Sequence, residues 1–138
     1  MKRITIVLTI FVIILTSGCT TAGPTKDQLI SADFGPPVTH EFMVSAVKER
    51  MSRILIDPNS AIYECDIPRK SWLVGDGSGN VQFNETYYGY LSTCAINSKN
   101  RLGGYAGRKV NYFMVVQRNG KPVLAHFERF LRGGPVNF

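Results

Sequence analysis

Three patterns of apolar residues follow one another along the chain. Residues 4–15 are all apolar or threonine, and none of them is charged. Between residues 40 and 56, apolar residues recur every three or four positions, which is the period of a helix that buries one face. From Ala61 onward, several segments alternate between apolar and polar residues, as half-buried strands do. The sequence therefore predicts an apolar leader, then a helix, then a sheet.

The helix is predicted to begin after Thr39, which is a suitable N-cap, and Glu41 lies in the first turn, where the helix dipole favours an acid. Its apolar stripe consists of Met43, Val47, Met51, Ile54 and Leu55. Asp57-Pro58-Asn59 ends the pattern. In a protein of this size, such a stripe indicates a helix that packs on the core rather than on a membrane or a partner.

Four segments are predicted to be strands, namely residues 61–67, 87–97, 108–118 and 121–130, whereas residues 71–74 are either a short strand or a loop anchor. Asn119-Gly120 predicts a tight hairpin, because a type I′ turn needs positive φ at both central residues. Pro122 predicts that the last strand lies at a sheet edge.

These elements predict an α+β fold in which one N-terminal amphipathic helix packs on a three- or four-stranded antiparallel sheet. A single domain is expected at residues 39–132. It would lie between a flexible tether at residues 19–38 and a frayed tail at residues 133–138.

The start of the chain has the layout of a secretory signal peptide at residues 1–18. Lys2 and Arg3 precede the apolar run, and Thr16-Ser17-Gly18-Cys19 follows it. The run is shorter than the roughly 20 residues that a helix needs to cross a bilayer. The ending resembles the lipobox of bacterial lipoproteins, which implies cleavage before Cys19 and lipidation of that residue. Thr16 stands where the lipobox favours leucine. An ordinary cleaved signal and an uncleaved inner-membrane anchor are the alternatives.

By the same resemblance, Thr20 implies sorting to the outer membrane of a Gram-negative host, because an aspartate at that place retains such proteins in the inner membrane. The expected location is the bacterial cell envelope, lipid-anchored and facing the periplasm. The membrane, reached through the N-terminal lipid, is thus the first expected partner.

With Cys19 assigned to lipid, Cys65 and Cys94 remain as a pair in an oxidising compartment, where a disulfide is expected. Closing a loop of about 30 residues would stabilise the fold by roughly 3–4 kcal/mol. A redox or metal-binding pair is disfavoured, because the chain has no Cys-x-x-Cys and neither His40 nor His126 stands at ligand spacing. No metal and no cofactor are expected.

Charge limits the class of partner. Without Lys2 and Arg3, the 16 basic residues fall to 14, against 10 acidic residues. The basic residues are scattered, and no block of five like charges occurs, so a nucleic-acid partner is not expected.

Catalytic signals are sparse. Glu64 and Asp66 share one face of a predicted strand, and His126 is a lone strand histidine, so exposed or packed side chains are the simpler interpretation. Residues 75–80 contain three glycines but match neither a phosphate-binding loop nor a calcium loop. The chain is therefore not expected to be an enzyme.

Residues 97–107 form the candidate binding loop. Glycines let a backbone approach a ligand closely, and the amides, cations and aromatic ring of this segment are suitable contacts. The candidate residues are Asn97, Lys99, Asn100, Arg101, Gly103, Gly104 and Tyr105. The alternative is a purely structural crossover whose amides satisfy its own backbone.

Together with Asp57-Pro58-Asn59-Ser60-Ala61, Gly89-Tyr90 and Cys94, this loop resembles a group of small exported bacterial proteins and lipoproteins of uncharacterised activity. The resemblance implies a helix on a small antiparallel sheet and no particular chemistry. The leading hypothesis is a non-catalytic envelope lipoprotein that binds another envelope protein or a cell-wall component. An inhibitor or immunity-type protein and an accessory lipoprotein of a secretion or conjugation apparatus are the alternatives.

Overall fold

The structure, a computed structural model, describes residues 23–138. The predicted signal peptide and Cys19 lie outside the described residues. The described part contains two α-helices, a 3₁₀ turn and six strands. They are α1 (Lys26–Ser31), α2 (His40–Ser52), the 3₁₀ turn (Pro58–Ser60), β1 (Ile62–Cys65), β2 (Arg69–Val74), β3 (Thr86–Asn97), β4 (Lys109–Arg118), β5 (Lys121–Phe127) and β6 (Gly133–Pro135).

All six strands belong to one antiparallel sheet with the order β5-β4-β3-β2-β6. The 12-residue β3 is its centre. β1 and β2 share one edge of β3, because β1 pairs with residues 94–97 and β2 with residues 86–91. The chain bends at residues 66–68 between them.

The predicted α+β fold, with one helix on a three- or four-stranded sheet, is wrong. The structure is mostly sheet, with six strands and a minor helical part. The tail expected to fray contains β6, whose Gly134 pairs with Trp72. Residues 71–74, left open as strand or loop, belong to β2.

Both faces of the sheet carry a core, which is why residues 113–116 of β4 are buried in succession. On one face, α2 packs Met43, Val47 and Met51 against Cys94 and its neighbours on β3 and β4. The opposite core contains Leu73, Val81, Tyr87, Met114, Val116, Ala125 and Phe127. Val81 comes from the segment that joins β2 to β3, so this connection covers the second face.

The segment at residues 23–38, expected to be part of a flexible tether, is packed on the domain. Thr25 caps α1 in a capping box with Gln28. Phe34 is buried, and its ring meets Tyr88 edge-on at a centroid distance of 5.8 Å. A Cβ on Gly23 would lie 2.7 Å from the Trp72 ring, so the backbone at Gly23 rests on that indole.

Several local predictions are confirmed. Thr39 caps α2 by accepting a hydrogen bond from the Phe42 amide. Asn119 and Gly120 have φ values of 53° and 71° and join two paired strands. Their strand β5 lies at a sheet edge, as Pro122 predicted.

The predicted disulfide is confirmed. Cys65 and Cys94 face each other directly in the β1–β3 register, with Cα atoms 4.0 Å apart. Because Cys94 is fully buried under α2, the bridge joins the edge strand to the centre of the main core.

Candidate functional site

Residues 97–107, here called the finger, connect β3 to β4 and extend beyond the sheet. Lys99 and Tyr105 pair in an antiparallel bridge. The Ala106 amide donates to the Ser98 carbonyl at 3.0 Å. The finger is therefore a continuation of the hairpin rather than an irregular loop.

At the tip, the Asn100 side chain closes the turn. Its Oδ1 accepts hydrogen bonds from the Leu102 amide at 2.9 Å and from the Gly104 amide at 3.2 Å. The Asn100 amide donates to the Gly104 carbonyl at 2.8 Å, and the Gly103 amide donates to the Asn100 carbonyl at 3.0 Å. Gly103 has a φ of 82°, which favours glycine. Hydrogen bonds among residues 100–104 therefore fix the conformation of the tip.

The 3₁₀ turn holds the finger from the side. The Lys99 amide donates to Ser60 Oγ at 2.9 Å, and the Tyr105 hydroxyl donates to the Ser60 carbonyl at 3.3 Å. Ser60 is itself positioned by Asp57, whose carboxylate accepts from the Ser60 amide at 3.3 Å. Two of the motifs that carried the family resemblance, residues 57–61 and the finger, therefore contact each other in the fold.

The hydrogen bonds of the finger show which of the predicted binding residues use their side chains to hold the loop together. Asn97 Oδ1 accepts from the Gly107 amide at 3.1 Å, so both amide side chains of the predicted loop are engaged with its own backbone. For Asn97 and Asn100 the structural alternative is thus the better description. The side chain of Arg101 is exposed and makes no ion pair within residues 23–138.

Leu102 was missed by the sequence interpretation, although it is the most exposed large apolar side chain of the described chain, at 94%. It stands beside Arg101, and Tyr105 is 49% exposed on the same finger. A Cβ built on Gly103 or Gly104 would meet no atom of the described residues within 4 Å, so the tip projects away from the rest of the described domain. The sequence did contain a hint, because a single leucine between Arg101 and two glycines has no apolar neighbour to pack against.

Further exposed apolar side chains stand near the base of the finger. Ile62 is 50% exposed and pairs with Asn97, where the finger begins. Val110 follows the finger by three residues, and Ile54 lines a cavity together with Gly107. The finger thus rises from a partly apolar surface, which is typical of protein interaction sites.

That cavity, of about 170 Å³, lies between the end of α2, the base of the finger and β4–β5. His126 and Asn111 contribute its buried polar groups, and an ion pair between Lys109 and Glu128 lies at 3.7 Å among its lining residues. The cavity therefore combines neutral buried groups with a compensated pair of charges.

His126 is 1% exposed and stacks on Phe113 with ring centroids 4.6 Å apart. Its Nε2 lies 3.0 Å from Asn111 Oδ1, an acceptor, so Nε2 carries the proton. Nδ1 has no hydrogen-bond partner among residues 23–138. Burial lowers the pKa of His126, and the Arg50 charge lowers it further. The ring is therefore neutral near pH 7.

The described residues do not assemble a nucleophile, a base and an orienting group. Ser98 lines the same cavity as His126, but no hydrogen bond joins the two side chains in the part of the chain that the structure describes. Glu64, one of the two carboxylates considered in the sequence, pairs with Arg108 on the surface. Asp66 contributes its amide to β3 through the Thr93 carbonyl.

Residues 75–80, here called the clasp, close the outer edge of β5. The Asn80 side chain donates to the Leu124 carbonyl at 2.9 Å and accepts from the His126 amide at 2.7 Å. It thus replaces a neighbouring strand, which protects an edge that would otherwise expose unpaired backbone groups. A Cβ on Gly79 would overlap the His126 carbonyl oxygen, so only glycine allows this approach.

Asp76 anchors the clasp. Its fully buried carboxylate accepts from the Ser78 hydroxyl at 2.5 Å and from the Arg129 amide at 2.8 Å. Burial alone would raise the pKa of Asp76, but the hydrogen bonds from Ser78 and Arg129 outweigh it and hold the pKa below its ordinary value. The glycine-rich segment left without a role by the sequence is therefore a structural device.

Residues 23–138 contain no group of three or more histidine, cysteine or acidic side chains placed to hold a metal ion. Within the same residues, no helix has the length and apolar character needed to cross a membrane.

The predicted lipidation site, Cys19, lies outside the described residues. Comparison with protein-family models, with curated proteins and with solved structures found no match to the chain.

Proposed function

We propose that the chain is a non-catalytic binding module of the bacterial cell envelope. A lipid on Cys19 holds it in the outer membrane, where it faces the periplasm and binds another envelope protein through the finger. One observation carries the binding part of this proposal. Leu102 is 94% exposed on a turn whose backbone is hydrogen-bonded from within.

The rigid backbone of the finger and the exposed Leu102 side chain both favour binding. A loop already fixed in one conformation loses little entropy on binding, so more of its contact energy appears as affinity. Fully burying a leucine contributes roughly 1.5–3 kcal/mol. Arg101 beside it is a residue type enriched among the side chains that dominate interfaces. The expected partner surface is an apolar pocket with an acidic rim.

Affinity purification from membranes of the native host tests the proposal. The lipidated protein and its Leu102→Ser variant would be captured in parallel, and co-purified proteins quantified by mass spectrometry. Loss of the leucine contact should reduce recovery of the specific partner at least tenfold, since 1.4 kcal/mol corresponds to one factor of ten. Phe83→Ser is the matched control, because Phe83 is also exposed, at 75%, and belongs to the β2–β3 connection. Equal recovery with both variants would refute binding through the finger.

An inhibitor of an incoming enzyme is the second candidate. Its specific support is again the rigid exposed loop, because preformed loops that change little on binding are typical of protease inhibitors. The two functions differ in what the captured partner does. An enzyme whose activity falls to near zero at one equivalent of this protein would establish inhibition, and a non-enzymatic envelope protein would exclude it.

A further inference from the structure

The described chain begins on the surface of the domain rather than at the end of a long linker. Gly23 rests on the Trp72 indole, and α1 and Phe34 follow immediately. Only three residues separate Gly23 from Cys19. A chain step of four residues spans at most about 14 Å when fully extended.

This short distance determines which part of the domain can be near the membrane. If Cys19 carries the lipid, as proposed above, Gly23 stays within about 14 Å of the anchored residue, and the Trp72 indole lies against Gly23. We infer that the surface around Trp72, here called the basal surface, lies against the lipid headgroups. This inference rests on the proposed anchor, and it would also follow from an uncleaved apolar segment.

The side chains of the basal surface suit that position. Besides Trp72, it comprises Lys70, two residues earlier on the same face of β2, and Phe138. Lys70 Nζ lies 4.5 Å from the Phe34 ring centroid and 5.7 Å from that of Phe138, which is 60% exposed. Tryptophan and other aromatic rings are favoured at headgroup depth. A lysine near an anionic membrane is attracted to its surface.

Acidic residues on the neighbouring segment limit the net charge without reversing it. Lys26 and Asp27 are adjacent on α1 and offset each other, and Asp33 lies just before the buried Phe34. Lys70 balances the Asp33 charge, so the surface as a whole is close to neutral. Its exposed aromatic rings and its short connection to the anchor therefore match it to the headgroups of a lipid surface.

The finger lies at the far end of the sheet from this surface. Trp72 pairs with Tyr88, and the finger begins at Asn97 on the same strand. The nine residue steps of β3 from Tyr88 to Asn97 span about 30 Å. A module seated on its basal surface would thus hold Leu102 away from the lipid, where another protein can reach it.

Fluorescence quenching tests this orientation, because Trp72 is the sole tryptophan of the chain. The lipidated protein, purified from membranes, would be reconstituted into phosphatidylcholine–phosphatidylglycerol vesicles that carry a nitroxide on the headgroup. The control is the double variant Trp72→Phe with Leu102→Trp, whose sole tryptophan lies at the fingertip. Trp72 should be quenched at least twice as strongly as the fingertip tryptophan.

Each outcome bears on the inference. Equal quenching at the two positions, or stronger quenching at the fingertip, would overturn the orientation while leaving the anchor intact. Protein that does not float with the vesicles would overturn both the anchor and the orientation. Hydrogen exchange of the unmodified protein provides a second readout if the double variant folds poorly. Vesicles should slow exchange in residues 23–32 and 69–72 but not in the finger, and the reverse pattern would contradict the inference.

Discussion

The Tyr105 hydroxyl donates a hydrogen bond to the carbonyl oxygen of Ser60, a residue 45 positions earlier in the chain. Ser60 also receives the Lys99 amide on its hydroxyl, so one residue holds both strands of the finger. The short 3₁₀ turn after α2 therefore supports the finger. It keeps a thin hairpin extension from bending at its base.

Replacing Ser60 by alanine should therefore loosen the finger without unfolding the domain. The Lys99 amide loses its acceptor, whereas the Tyr105 bond to the Ser60 carbonyl remains. We expect a loss of about 1 kcal/mol in the free energy of unfolding and faster hydrogen exchange at Lys99. Asn59→Ala is the control, because Asn59 is exposed on the same turn. Unchanged exchange at Lys99 in Ser60→Ala would show that the turn does not support the finger.

Reduction of the Cys65–Cys94 disulfide should lower the free energy of unfolding by about 3–4 kcal/mol. The bridge closes a sequence separation of 29 residues, and the expected loss comes from the entropy regained by the unfolded chain. Urea denaturation with and without reductant measures it. The variant Cys65→Ala with Cys94→Ala should be insensitive to reductant. An unchanged urea midpoint after complete reduction of the native protein would contradict this prediction.

Asp76 should make the clasp sensitive to acid. Its folded pKa lies below the unfolded value, so its stabilising contribution is present above an ordinary aspartate pKa and is lost as pH falls through the lowered folded value. Asp76→Asn should cost about 1–3 kcal/mol at pH 7, because a buried acceptor of three hydrogen bonds is weakened.

The matching measurement is thermal unfolding between pH 2 and 7. Asp76→Asn should show a smaller loss of stability at the acid end than the native chain. Asp27→Asn, at an exposed position on α1, is the control and should follow the native curve. A native-like acid limb in Asp76→Asn would show that the carboxylate does not stabilise the clasp.

His126 should destabilise the fold on mild acidification. Because its folded pKa is lowered from about 6.5, the unfolded chain takes up a proton first as pH falls below that value. Stability should therefore be full above pH 7 and fall towards pH 5, by at most about 1.4 kcal/mol per pH unit. His126→Gln, which keeps an N–H donor for Asn111, should flatten this slope. Equal slopes in the two proteins would contradict a neutral buried imidazole.

Local signals account for what the sequence predicted well. Thr39 and Asn119-Gly120 act within a few residues of themselves, so their cap and turn could be recognised without knowledge of the fold. The start of α1 had a signal of the same kind, because Thr25 and Gln28 stand at capping-box spacing, but the flanking Gly23-Pro24 favoured a tether.

The missed elements depend on distant partners. β6 consists of Gly133, Gly134 and Pro135, which show no alternation, and its pairing uses the backbone of β2. The clasp acts on residues 44–53 positions later in the chain, which no local pattern indicates. Residues 97–107 connect two strands, as the sequence predicted, but the polar side chains that drew attention to them, Asn97 and Asn100, serve the loop's own backbone. Its most exposed side chain, Leu102, was passed over because the interpretation looked for polar and aromatic groups.

The most direct test of the proposed function is site-specific photocrosslinking in living cells of the host. A benzophenone amino acid would be placed at Leu102 in the finger and, separately, at Phe83 in the β2–β3 connection. Binding through the finger predicts a discrete crosslinked protein of the envelope fraction from position 102 and none from position 83. The absence of any specific product at position 102, with the protein present in the membrane fraction, would contradict it.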